Sequence, residues 1–365
     1  MNANSIDSRE LSPIIFYYDS LEGLEHLWPA LEERFRQTGH TRPIIFREYD
    51  SYKELPGTDG DLYTYDAIVL SALVDKGFFR VLPKSVSCGG VFPWVMEKSR
   101  VRRRAYGVPF MLCSPALICR KKDDLHVQNI MELKEGAAIP LRSMLMFYFV
   151  QSFCENLSLA KSFRVMEHLL ELIGGRNALE HSSSSEYDGI NRFNREECRY
   201  ILAFTEDLHE LKKDDYAVSF ANFSDNETSR RPRFLADFIS IGKQTAEEKL
   251  QDCLDLIDIL ISEQFVDKIC RPEGDLLYML PADMNVFRRL SQMDAVYEHL
   301  YGQLDSEENG VLRYGKRFYE NFYTRRDILL QLLWKKAGWE PELIKAHLEK
   351  RIRRRRLVRP MKPMK

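Results

Sequence analysis

The sequence predicts an α/β fold in two lobes, and three observations lead there. The chain has 365 residues, 44% of them hydrophobic and 30% charged, an ordinary soluble composition in a chain too long for one simple core. Its opening alternates compact β-branched and aromatic runs with a helical repeat, the pattern of a parallel sheet covered by helices. Further on, the run from Tyr106 to Lys121 is apolar, opens on a Gly-x-Pro turn, closes on Arg120-Lys121 and carries Cys113 at its centre. A run of that length reads as a segment passing from one lobe to the other.

Pro13 to Tyr18 reads as a buried strand. Leu21 to Gln37 has apolar residues at helical spacing (Leu24, Leu27, Leu31, Phe35) and Gly39 as a stop. Pro43 to Tyr49 is a second strand and Tyr65 to Leu70 a third. Ligands of such sheets bind beyond the carboxyl ends of the strands, which here carry Tyr17, Tyr18 and Asp19, then Asp50, Ser51 and Tyr52, and Asp66. Phe78 to Arg104 is turn-rich and ends in the basic run Arg100 to Arg104. Helices are expected over 141–157, 159–173 and 195–211, with a polar Ser182–Ser185 loop between the last two. Strands are expected over 216–221 and 234–241, the second with Asp237 inside an apolar run. Thr245 to Glu263 repeats as a helix, Leu276 to Pro281 is extended, and the remainder is helical up to a basic tail, Lys350 to Arg356. Cations favour a helix C-terminus, so the tail reads as a frayed basic helix end.

Composition narrows the function. A formal net charge of −2 provides no overall field for nucleic acid or an anionic membrane. Seven cysteines without a Cys-x-x-Cys pair and eight dispersed histidines supply neither a disulfide framework nor a zinc motif. No run approaches the roughly 18 apolar residues of a membrane span, and the first ten residues lack the pattern of a secretory signal. A cytoplasmic protein with reduced thiols and no metal or other cofactor is expected. Cys113 is then either a small hydrophobe in a buried strand or a nucleophile.

The order of elements resembles a type II periplasmic-binding-protein fold, two lobes around a ligand cleft. More specifically, three stretches resemble thiaminase I (thiamine pyridinylase). Tyr65 to Phe78 is similar to that family's Leu-Asp-Ser, apolar helix and Val-Asp-x-Gly turn. Tyr106-Gly107-Val108-Pro109 through Cys113-Ser114 to Arg120-Lys121 is similar to its Tyr-Gly-x-Pro-x-x-x-Cys-Thr-Asn run ending in Arg-Lys. Tyr278 to Ala282, with Val286-Phe287 and Val311 to Gly315, is the third. The three agree in order over roughly residues 14 to 320.

The resemblance implies a division into residues 1–112 plus about 228–290, and about 113–227 plus 291–348, with 349–365 as the tail. It makes Cys113 the nucleophile that adds to the pyrimidine of thiamine, after which the thiazole leaves and an amine or thiol acceptor replaces it. Asp66 and Asp237 would bind the aminopyrimidine or stabilise positive charge, and Tyr17, Tyr18 and Tyr52 would stack on the ring. The family's general base is the glutamate of a Gly-Tyr-Ser-Glu run following a strand. Aligning Ser219-Phe220-Ala221-Asn222 with that run puts Asn222 in the glutamate's place, with Asp225 or Glu227 as displaced substitutes. Leu235 stands where the family has a tyrosine two residues before Asp237, and Pro115 where it has asparagine. Two function classes stay open: a cysteine-dependent transferase acting on thiamine or another heteroaromatic compound, and a non-catalytic binder of such a ring. A biosynthetic enzyme making an analogous substitution on another substrate lies between them.

Overall fold

The structure, a computed structural model, describes residues 11–19, 27–86, 88–121, 129–133, 137–139, 141–172, 188–211, 216–223, 232–304 and 309–338. The first βαβ unit is β1 (Ile14–Asp19), α1 (Leu27–Gln37) and β2 (Ile44–Tyr49), followed by β3 (Leu62–Asp66) and α2 (Leu70–Asp75). Next come α3 (Pro93–Lys98), the short hairpin β4 (Arg100–Val101) and β5 (Arg104–Ala105), and the strands β6 (Gly107–Cys113) and β7 (Pro115–Arg120). The middle of the chain holds β8 (Ala137–Ala138), α4 (Leu141–Cys154), α5 (Leu159–Leu172), α6 (Asp188–Asn194), β9 (Tyr200–Phe204) and β10 (Tyr216–Phe220). The last third runs β11 (Arg233–Ile241), α7 (Glu247–Leu260), α8 (Glu263–Cys270), β12 (Leu280–Pro281), α9 (Met284–Ser291), α10 (Ala295–Leu304), β13 (Gly310–Val311) and α11 (Phe318–Ala337).

Two sheets organise these elements. The larger, seven-stranded, runs β12-β6-β11-β3-β1-β2 with β13 beside β11. The smaller, four-stranded, runs β10-β7-β9-β8. Strands β1, β2 and β3 are parallel, and β11 enters antiparallel between β3 and β6. β3 is buried at every residue, as expected for a strand covered on both faces, while the edge strand β2 is largely open. The chain passes between sheets at Ser114, the single residue between β6 and β7. Ser114 is buried, and its hydroxyl donates to the Arg233 carbonyl at 3.1 Å, pinning the crossing to the start of β11. β13 joins the larger sheet, so the 291–348 segment assigned from sequence to the second lobe contributes to both.

The Tyr-Gly-x-Pro run has a packing reason. A Cβ at Gly107 would collide with the Tyr65 hydroxyl, which bonds Ser240 Oγ at 2.5 Å across the sheet. Pro109 lies at a register shift: Asp237 opposes Met111 but Phe238 opposes Pro109, leaving Phe110 as an extra residue in β6. A bulge tolerates a residue without an N–H and locally re-aims the strand.

Three elements differ from the sequence reading. The third strand is shifted back to residues 62–66, because Asp66 ends it by accepting from the Ile68 N–H at 2.9 Å and capping a 3-10 turn that leads into α2. The stretch 195–211, expected to be helical, is instead β9 followed by a 3-10 helix over Thr205–Glu210. Pairing of Tyr200–Phe204 with β7 overrides its helical pattern, since tertiary partners decide such short apolar runs. Gly310–Val311 is a strand within a region read as wholly helical. The Ser182–Ser185 loop, Asp225, Glu227 and the basic tail lie outside the described residues.

Candidate active site

The ladder between β7 and β9 builds the centre of the site. Pro115 opposes Phe204, and one rung beyond, the Thr205 N–H donates to the Ser114 carbonyl at 3.3 Å. Just past the end of this ladder the Cys113 thiol donates to Glu206 Oε1 at 3.2 Å. Glu206 Oε2 accepts from the Thr205 hydroxyl at 3.3 Å, which leaves Oε1 turned toward sulfur. On its other side Cys113 opposes Leu235 of β11. Directly opposed residues share a face, as do residues two apart in a strand, so Cys113, Leu235 and Asp237 face the same way. Asp237 in turn opposes Asp66 across β3. Cys113, Glu206, Leu235 and Asp237 each retain a partly exposed surface.

Carboxylates crowd this surface. Asp66 Oδ2 accepts from the Tyr52 hydroxyl at 2.8 Å and Oδ1 from the Ile68 N–H. Asp19, at the end of β1, accepts from the Ser51 N–H at 2.9 Å and from the Ser51 hydroxyl. Burial pushes Asp66 up to about 7 against the lowering effect of its two hydrogen bonds, and Asp19 adds to the rise. Asp237 is held well above the carboxylate range by burial and then by Asp66, Asp19 and Glu206. Burial also raises Glu206, opposed by hydrogen bonds from its own backbone, Cys113 and Thr205. The Cys113 thiol is pushed well above its usual range by burial, then Glu206, Asp237 and Asp66. The free site therefore holds a protonated thiol on a carboxylate with raised basicity, beside two acids that do not both ionise at neutral pH. Such a surface favours a cation, and it can donate and accept at the same ring edge.

Of the residues singled out from sequence, Cys113, Asp66, Asp237 and Tyr52 come together. The Tyr52 ring is held edge-on to Phe318, at a centroid distance of 5.9 Å. Tyr17 does not join them. Its ring stacks on Tyr63 at 5.5 Å, and its hydroxyl donates to Asp59 and accepts from Arg47. Tyr18 packs against Trp28 and Phe46, on the face of β1 covered by α1. Strand alternation turns Tyr18 away from the cleft, and the 57–60 loop draws Tyr17 into packing of its own. Asn222 is buried with its carbonyl accepting from the Ile130 N–H at 2.9 Å and its backbone bridging Asn129. The carboxylate beside Cys113 belongs to Glu206.

A signal for Glu206 was present. Ala203-Phe204-Thr205-Glu206 repeats small, aromatic, hydroxyl and glutamate as in the family run, at the end of a strand. It was missed because that stretch was read as helix, which leaves no strand end to seat a base. Among the described residues, His40, Asp252 and Asp255 cluster closely enough to hold a metal ion. They lie at the contact of α1 with α7, where the Arg42 guanidinium, 2.5 Å from Asp252, already neutralises the acid.

Fold and site together define a two-lobed binding-protein architecture carrying a cysteine–carboxylate pair. The proteins it resembles are thiaminases. The chain is 25% identical to thiaminase-1 of Paenibacillus thiaminolyticus over 316 residues, covering 74% of this chain and 76% of the relative. Among solved structures, thiaminase I of Clostridium botulinum in complex with thiamin superposes with a TM-score of 0.77 at 19% identity, covering 88% of this chain and 99% of that one. The GacH receptor of Streptomyces glaucescens, solved unliganded and with acarbose, superposes at 0.64 with 14% identity, covering 93% and 97%. These likenesses give the fold as that shared by thiaminase I and sugar-binding receptors. No protein-family model matches the chain.

Proposed function

We propose that the protein is a cysteine-dependent transferase acting on thiamine or a closely related cationic heteroaromatic compound. The observation that carries this reading is the Cys113–Glu206 contact of 3.2 Å on an acid-rich surface. Glu206 takes the thiol proton as sulfur bonds to an electrophilic ring carbon of the pyrimidine. The bond from the pyrimidine methylene to the thiazolium nitrogen then breaks, its electron pair leaving with a neutral thiazole. An amine or thiol acceptor then bonds to the methylene carbon and gives a proton to the protein, while the bond from sulfur to the ring carbon breaks and the thiolate is expelled. General-base help of this kind is worth about 10²–10⁴-fold in rate.

Asp66 and Asp237 fit an aminopyrimidine edge, one as donor and the other as acceptor. A cationic ring arriving beside them lowers the pKa values of the whole cluster, Cys113 included, so the substrate's own charge favours the thiolate. The structural neighbours support the substrate class, since the C. botulinum structure holds thiamin and a eukaryotic thiaminase-I structure holds 3-deazathiamin. Glu206 favours the transferase over the non-catalytic binder, whose motive was the missing base. No helix among the described residues is long and apolar enough to cross a membrane, and the proposed setting is the cytoplasm.

The test is intact-mass analysis of wild type and Cys113→Ala after incubation with thiamine and an amine or thiol acceptor. Thiamine consumption, or a pyrimidine adduct, that requires Cys113 is the expected result. Neither thiamine loss nor an adduct in wild type overturns the thiamine reading.

A further inference from the structure

Two hydroxyls of α11 end on the turn that carries the acids' partners. The Tyr319 hydroxyl donates to the Ser51 carbonyl at 2.8 Å, and the Tyr323 hydroxyl to the Tyr52 carbonyl at 3.1 Å. Ser51 is the residue whose N–H and hydroxyl hold Asp19, and Tyr52 the residue whose hydroxyl holds Asp66. One residue before each tyrosine, Phe318 and Phe322 meet the Tyr52 ring edge-on at 5.9 and 6.5 Å. Tyr319 and Tyr323 lie four residues apart, one helical turn, which matches two successive carbonyls presented to one helix face.

The same helix reaches the other side of the cleft. Phe322 packs edge-on against Phe153 of α4 at 5.4 Å, and the Arg325 guanidinium lies over that ring at 4.7 Å. α4 itself packs on the smaller sheet through Phe147, which meets Phe204 and Phe223. α11 thus joins the body that supplies Glu206 to the turn that orients Asp19 and Asp66.

We propose that Tyr319 and Tyr323 are positioning residues of the site, holding the Ser51–Tyr52 turn from α11 so that the Tyr52 hydroxyl stays on Asp66. Neither touches the acids directly; each acts through a backbone carbonyl. The inference rests on reading Asp66 as a working acid of the site, and its test needs no thiamine. The groups that face Asp66 are Tyr52 from the turn, Asp19 from β1, Asp237 from β11, Cys113 from β6 and Cys154 at the end of α4. A Tyr→Phe variant of α11 alters none of these groups chemically, so a change in Asp66 titration reports movement of the turn that carries Tyr52 and Ser51, the partner of Asp19.

The experiment is carboxyl ¹³C NMR titration of the full chain labelled at aspartate, with Asp66→Asn assigning the Asp66 signal. Wild type, Tyr52→Phe, Tyr319→Phe/Tyr323→Phe and the triple variant are compared, each first shown to be folded by its melting curve. Losing the Tyr52 hydrogen bond raises the Asp66 midpoint, by roughly half to one pH unit. The α11 double variant should shift in the same direction, and the triple variant should shift no further than Tyr52→Phe alone. The single variants Tyr319→Phe and Tyr323→Phe serve if the double does not fold. An Asp66 midpoint unchanged in the folded α11 variants while Tyr52→Phe moves it, or shifts that simply add in the triple variant, overturns the proposal. A protein inactive toward thiamine would still give this result, so its failure and that of the transferase reading are separable.

Discussion

The Cys113 thiol donates to Glu206 Oε1 at 3.2 Å although 93 residues separate them in sequence. The contact lies just past the end of a ladder: β7 and β9 set Pro115 against Phe204, the Thr205 N–H then donates to the Ser114 carbonyl, and Glu206 follows in the 3-10 turn that leaves β9. Cys113 belongs to the larger sheet and Glu206 to the 3-10 turn that follows β9 of the smaller one, so the pair sits where the two sheets join.

Removing the carboxylate tests its role directly. Glu206→Gln keeps the shape and an acceptor oxygen but cannot take a proton. Thiamine turnover at saturating acceptor should fall by about 10²–10⁴-fold, with a much smaller change in KM. A fall of less than about threefold would show that Cys113 is deprotonated elsewhere.

Tyr52, which bonds Asp66, and Tyr17, which packs with the 57–60 loop, should behave differently. Tyr52→Phe removes a hydrogen bond to a buried acid and should raise KM several-fold. Tyr17→Phe removes contacts to Arg47 and Asp59, whose side chains are about half exposed. It should cost less than about 1 kcal/mol in denaturant melts and leave turnover within about twofold. Equal kinetic defects would contradict the placement of Tyr17 outside the cleft.

Acidic crowding predicts charge selectivity at Cys113. A cationic methanethiosulfonate should modify it at least ~10-fold faster than an anionic one at low salt, the gap narrowing as salt is added. Asp66→Asn together with Asp237→Asn should close most of that gap. Intact-mass time courses follow both rates.

Asp66 should also leave a trace in stability. Its midpoint of about 7 in the folded chain lies above the ordinary value of 3.8, so the folded state holds a proton that the unfolded chain has lost. Stability from this group is therefore whole below about pH 4, declines as pH rises, and is gone once pH has passed about 7. Asp66→Asn keeps the turn cap, removes this dependence, and should be stabilised relative to wild type at pH 8 more than at pH 5. By linkage the difference between the two pH values is at most about 3 kcal/mol. Urea melts at the two pH values measure it; a larger gain at pH 5 would reverse the assigned shift.

Much of the site was legible because it lies on strands with strong local signatures. Cys113 stands in an apolar run bounded by Gly107-x-Pro109 and Arg120-Lys121; Gly107 and Pro109, expected as a turn, lie within β6, and each has an identifiable packing reason there. Asp237 was legible as an acid inside an apolar strand, which calls for a partner or a purpose. Glu206 was not, because its chemistry depends on β9 being a strand. Residues 200–204 have a helix-compatible pattern on their own, and only pairing with β7 makes them extended.

By itself, the sequence determined the alternation of strands and helices, the cysteine at a lobe crossing, and the acids at strand ends, all of which are carried by local spacing of apolar and polar residues. Which side chains face the cleft was decided by tertiary structure alone. A strand's two faces are distinguished only by what packs on them, so Tyr17 and Tyr18 could not be told from Tyr52 before β1 had its neighbours. The partner of Cys113 was likewise decided by register between β7 and β9. With β9 paired, the 3-10 turn that follows it brings Glu206 to the Cys113 thiol.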